Sequence, residues 1–179
     1  MSLVSNGDTP PSKMPILPLP TIVVVPGAWH SPSHYLELTS RLGLAGFETV
    51  CLSSPSLNPV DPRTADVATD AAFIREKALL PLIHQSKDIL LVMHSYGGSP
   101  GSAAAKSLSK SECHSRGYGG GIVGLVYISA LLADEGISML SAIGGTWHPY
   151  MGAKVRGGSI HTTGLSWWSS GPSDVYSCF

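Results

Sequence analysis

The stretch Ile89–Gly98 reads ILLVMHSYGG. Five apolar residues run into His94 and Ser95, and Gly97 and Gly98 follow at once. A serine that ends a buried strand and turns sharply into a helix suits nucleophilic chemistry. The turn strains the serine backbone, lifts Oγ above the sheet and aims the next backbone N–H at a developing oxyanion. Ser95 is therefore the candidate nucleophile. Strand and helix pack closely at such a turn, so the residues two before and two after the serine need to be small. Gly97 meets the second requirement and Met93 breaks the first. The competing reading is that Ser95 only caps the helix that follows. His94 is a poor base for Ser95, because consecutive strand residues point to opposite faces; it reads as structural.

The elements around this turn alternate. Thr21–Val25, TIVVV, is a β-branched run suited to a strand buried on both faces. Ser31 or Ser33 caps a helix carrying Tyr35, Leu38 and Leu42, which Gly43 or Gly46 stops. Phe47–Leu52 is a second strand, and Ser53–Arg63 is a loop dense in turn formers. Thr64 or Asp66 opens a helix with Val67, Ala71, Ile74 and Ala78 on one face, which Pro81 bends or ends. Ile89–Met93 is the third strand. The small-residue stretch Ser99–Ser111 reads as one helix, with Pro100 in its first turn, and His114–Gly121 as a loop. Ile122–Ala130 is the fourth strand. The pattern predicts right-handed crossovers and an α/β, three-layer sandwich with a mainly parallel sheet. Ligands of such sheets sit at the carboxyl ends of the strands, where Pro26–His30, Ser95 and Asp134 all fall.

Three segments, IVVVPGAWHSPSHY, LLVMHSYGG and GLVYISALLADEG, together resemble the α/β-hydrolase fold. They are most similar to its small-esterase branch of methylesterases, hydroxynitrile lyases and related fungal hydrolases. The resemblance covers Thr21 to Met139 and implies the spatial strand order second, first, third, fourth. It also implies an oxyanion hole formed by the backbone N–H groups of Ala28 and Tyr96, with Ser95 as nucleophile. Proline at position 26 replaces the histidine usual in the matching motif. Trp29 and His30 would line the substrate pocket; for Trp29, simple packing under a cap is an equal reading.

A serine nucleophile needs a histidine to take its proton and an acid to orient that histidine. In this fold they follow in the order Ser, acid, His. Asp134 comes after the fourth strand, and His148 and His161 come later. Ser95, Asp134 (acid) and His161 (base) therefore have the required order. The competing readings are a solvated turn at Asp134-Glu135 and a histidine in a glycine- and serine-rich tail. From Gly144 onward no periodicity is visible. The family's last two strands are not legible there, and the C-terminus reads as truncated. The expected organisation is a lead-in over 1–20, a core with the start of a cap over 21–143, and an irregular Gly/Ser/Trp-rich tail over 144–179.

Composition bounds the rest. The 179 residues are 43% apolar and 13% charged, with a net charge of −1. That is a globular balance, with no electrostatic reason to expect a nucleic-acid or membrane partner. Cys51, Cys113 and Cys178 are too far apart for a disulfide scaffold or zinc knuckle. The spacing of His148 and His161 matches no common zinc pattern, so neither metal nor cofactor is expected. The start lacks a basic segment followed by an apolar run, and the longest apolar run is too short for a bilayer; the expected location is cytoplasmic. The expected function is a serine hydrolase acting on a small-molecule acyl substrate: an ester, thioester or lactone. The alternatives are an inactive remnant or binding module, because acid and histidine are in doubt, and a lyase or cyclase on the same scaffold. An uncovered fourth strand would favour a homodimer through the sheet edge.

Overall fold

Thr21–Val25 forms strand β1, and all five residues are buried, as a β-branched run covered on both faces requires. The structure is a computed structural model that describes residues 18–57, 59–60 and 65–146, together with the backbone of 153–156 and 159–162. After a 3-10 turn at Pro32–Tyr35 comes helix α1 (Leu36–Leu44), then β2 (Thr49–Cys51). Helix α2 (Val67–Ile74) is capped by Asp66, whose Oδ1 accepts from Thr69 N–H at 2.6 Å.

The path remains helical through a π turn at Arg75–Leu79 into α3 (Leu80–His84). The sequence predicts a bend or stop at Pro81. The chain instead resets its hydrogen bonding, with Leu80 N–H bonding back to Arg75 O just ahead of the proline. Pro81 thus falls in a first turn, where a missing N–H costs little.

Strand β3 (Asp88–His94) leads through a 3-10 turn at Ser95–Gly97 into α4 (Gly98–Ala105). The single helix expected over Ser99–Ser111 is two. Helix α4 stops at Ala105, Ser107 takes a φ of +59°, and α5 (Lys110–Ser115) starts afresh. Ser109 and Glu112 form a reciprocal capping box at its start. Part of the stretch read as a loop, His114 and Ser115, is therefore helical. Strand β4 (Gly121–Ile128) and the short helix α6 (Met139–Ala142) follow.

The four strands form one parallel sheet in the order β2-β1-β3-β4, the order expected from the resemblance. One face packs Val23, Val25, Leu91 and Met93 against Ile74, Leu79, Ile83 and Ala104. The other packs Ile22, Val24 and Val92 against Tyr35, Leu42 and Phe47. These are the three layers of an α/β sandwich. In the tail expected to be irregular, β5 (Ala153–Arg156) and β6 (Ser159–Thr162) form an antiparallel pair. Most of the lead-in, Trp147, His148, Trp168 and Cys178 lie outside the described residues. Among the described residues no helix is long and apolar enough to cross a membrane.

Candidate active site

Ser95 stands where β3, between β1 and β4, gives way to α4. Its φ is +51°, the left-handed region that disfavours a residue with a side chain. The turn leaves no room for larger neighbours. A Cβ on Gly97 would lie 2.6 Å from both Val25 O and Pro26 O, and one on Gly98 would collide with Leu131 O. Ser95 O accepts from Leu131 N–H at 2.8 Å, which ties the turn to the segment leaving β4.

Met93, two residues before the serine, is fully buried. The space it needs comes from Gly101 in α4, where a Cβ would lie 2.6 Å from Met93 Sδ. The requirement for a small residue has moved from the strand to the helix.

The loop after β1 faces the serine. A Cβ on Gly27 would lie 3.1 Å from Ser95 Cβ, 2.9 Å from His94 Nδ1 and 3.1 Å from His30 Nδ1. Ala28 follows at the same strand end, and Trp29 has a φ of +62°. The indole Nε1 of Trp29 is buried with no hydrogen-bond partner among the described residues.

The rings of His30, His34, Tyr35 and His94 cluster beside this loop, with His30 and His94 centroids 5.3 Å apart. Burial holds the His94 imidazole below the ordinary histidine value. His30 is lowered by burial first and then by His34 and His94. Gly27 N–H donates to Tyr35 Oη at 2.9 Å, and Tyr35 in turn pairs with His94 Nδ1 at 2.8 Å. The tautomer of His94 sets which of the two donates, since the tyrosine hydroxyl can either give its proton to Nδ1 or accept from it.

On the other side, the Tyr96 hydroxyl donates to Asp70 Oδ2 at 2.8 Å. Asp70 is fully buried and also accepts from Ser56 N–H at 3.0 Å and Ser56 Oγ at 2.5 Å. Burial pushes its carboxyl above the usual carboxylate range, against the pull of those hydrogen bonds.

Sequence reasoning missed Tyr35 and Asp70 as site residues. For Asp70 a signal was present: it lies between Val67 and Ile74 on the helix face read as apolar. A carboxylate there needs buried partners.

The expected triad partners are not brought together among the described side chains. Asp134 is exposed, and its carbonyl closes a turn with Ile137 N–H. His161 lies on β6 opposite Lys154, and its side chain is outside the described residues. A groove of about 960 Å³ runs beside α4, lined by Asp66, Ser99, Ser102, Asp134 and Met139 among others. Ser95, Trp29 and His30 are not among its lining residues, so it is not the space above the serine. No group of three or more metal-ligating side chains is found among the described residues.

Comparison with known proteins bears on the fold. The model of the alpha/beta hydrolase family matches residues 22–175. The chain belongs to the alpha/beta hydrolase family. It is 37% identical to the alpha/beta hydrolase nvfD of Aspergillus novofumigatus over 121 residues, which are 67% of this chain and 46% of that protein. It is 27% identical over 126 residues to a probable hydrolase of a Phoma species, covering 70% of this chain and 48% of the relative. The chain spans about half the length of the curated relatives it matches.

Proposed function

We propose that this alpha/beta hydrolase carries a serine nucleophile, Ser95, for attack on a small ester, thioester or lactone. The observation that carries the reading is the left-handed backbone of Ser95 at the end of an inner parallel strand, with a loop backbone packed against it. A strained non-glycine residue held at such a position is a feature of functional sites. In this reading Oγ attacks the acyl carbon, and the N–H groups of Ala28 and Tyr96 receive the oxyanion. Each such donor is worth about 10²–10³ in rate where it has been removed from other hydrolases. Trp29 and His30 line the acyl side of the pocket. The relatives' names support hydrolysis and say nothing of the substrate.

The exposure of Asp134 favours a second reading, an acyl-binding module that retains the elbow without turnover. A fluorophosphonate probe and an activated ester separate the two. Stoichiometric labelling at Ser95 with continuing ester turnover, both lost in Ser95→Ala, is expected for the hydrolase. Folded protein that is not labelled removes Ser95 as nucleophile. Labelling with a single burst and no turnover supports the module.

A further inference from the structure

The two residues that flank Ser95 are each held by a hydrogen bond from a distant part of the chain. His94 Nδ1 is hydrogen-bonded to the hydroxyl of Tyr35, 59 positions away, which also receives Gly27 N–H from the loop after β1. The Tyr96 hydroxyl donates to Asp70, 26 positions away on α2, which also holds Ser56 in the loop after β2. The φ and ψ angles of Ser95 set the relative orientation of residues 94 and 96. Fixing both neighbours to different bodies therefore fixes those angles. We infer that Tyr35 and Asp70 are positioning residues, gripping His94 and Tyr96 to hold Ser95 in its left-handed conformation.

The clamp has three features that plain packing would not require. The grips reach the elbow from two separate parts of the fold: Tyr35 lies in the turn before α1, and Asp70 lies on α2. Each grip also holds the backbone of a loop. Tyr35 holds the backbone of Gly27, next to Ala28, and Asp70 holds Ser56. Finally, the residue being held is strained. Relaxing Ser95 to negative φ changes the relative orientation of residues 94 and 96, a change that the two side-chain bonds oppose. The inference rests on the proposed role of Ser95 only where reactivity is concerned; the backbone grip can be measured without it.

The test uses the full chain with Tyr35→Phe, Tyr96→Phe and the double variant. Tyr96→Phe is the mildest, since Asp70 keeps both Ser56 donors. Amide hydrogen exchange is followed by mass spectrometry on peptides spanning His94–Gly98 and on peptides from β1 and α3 as references. Each single variant is expected to speed exchange at the elbow by about 2- to 10-fold, the range of one net hydrogen bond, with β1 and α3 unchanged. The fluorophosphonate labelling rate at saturating probe should fall by a similar factor, while the half-saturating concentration stays constant. A merely structural pair would lower the melting temperature and speed exchange throughout. Unchanged elbow exchange in Tyr96→Phe and Tyr35→Phe, both cooperatively folded, overturns the inference. If the wild-type chain is not labelled at all, the nucleophile reading falls and exchange alone decides the clamp. If the double variant fails to fold, exchange in the two single variants decides it.

Discussion

Ser95 occupies a backbone region that costs a residue with a Cβ about 1–2 kcal/mol. That strain is a measurable property of one residue. Ser95→Ala removes the hydroxyl and keeps the Cβ, so the strain remains. Ser95→Gly removes both and gains back part of the cost, offset by glycine's larger chain entropy. Thermal melts are expected to place Ser95→Gly above Ser95→Ala by about 1 kcal/mol. Ser95→Gly falling below Ser95→Ala by glycine's full entropic cost, about 0.5–1 kcal/mol, would mean that the turn is not strained. The histidines beside the serine give a second residue-scale expectation. Burial lowers His94 and His30 in the folded protein, so folding favours their neutral forms. Their contribution to stability is present above the unfolded histidine value of about 6.5 and is lost as pH falls through it toward the folded values. Asp70 acts with the opposite sign. Its raised carboxyl favours the fold below the usual carboxylate range, and that contribution is lost as pH rises through it. Comparing wild type with His94→Gln between about pH 7.5 and 5.5, the range in which histidines titrate, separates the His94 contribution from that of Asp70. On acidification the melting temperature of the wild type is expected to fall relative to that of His94→Gln. An equal slope in that variant would remove His94 as a cause.

At the scale of elements, the strands were the most legible part of the sequence. The runs TIVVV and IVGLVYI are apolar and β-branched enough to read as strands, though only the first lies inside the sheet and the second forms its edge, and β3 ends within one residue of the expected position. The features that escaped had either a short local signal or none at all. The break between α4 and α5 was written in Ser109-Lys110-Ser111-Glu112, a capping box inside what read as one helix. The β5–β6 pair was written in the two glycines, Gly157 and Gly158, that separate AKVR from SIHT. The partnership of Met93 with Gly101 had no such signal, because it joins a strand to a helix in space. It predicts non-additivity. Gly101→Ala alone drives a methyl into the Met93 thioether, and overpacking of this kind costs about 1–3 kcal/mol. Met93→Ala alone empties a fully buried site, at about 2–5 kcal/mol. In the double variant the new methyl enters the vacated space, while the helix preference of alanine over glycine is shared with the single Gly101→Ala variant and cancels in the comparison. Urea unfolding of the four proteins is expected to show the double variant more stable than the sum of the singles by about 1 kcal/mol or more. Simple additivity would show that Gly101 is not there to house Met93.

The whole molecule has one side that its described residues do not close. Beyond β4 no further strand of the sheet is found among them. The start of β4 is met by the turn between α4 and α5, where Ile122 N–H donates to Leu108 O. From Val123 on the strand has no further strand beside it among the described residues. Val123, Leu125, Val126, Tyr127 and Ile128 are 37–50% exposed. The parallel register puts Leu125 and Tyr127 on the α4 side, in line with Leu91 and Met93. Val126 and Ile128 lie on the opposite side, in line with Val92 and His94. Both faces are therefore apolar where an edge strand of a monomer is normally short, charged or covered. Such an edge is a template for pairing, and burying these side chains would gain about 25 cal/mol per Å² of apolar area removed from water. The proposed consequence is a homodimer through β4. Size-exclusion chromatography with light scattering is expected to give a mass above the monomer's that falls on dilution. Val123→Lys places a charge on this edge, next to the bulge between Ile89 and Leu90 in the β3–β4 pairing, without touching the elbow. It should shift the protein to monomer while leaving the labelling of Ser95 intact. A wild-type chain that is monomeric at all concentrations and melts cooperatively would show that β4 is covered from within the chain. In that case Val123→Lys should lower the melting temperature instead, since the charge would be forced under that cover.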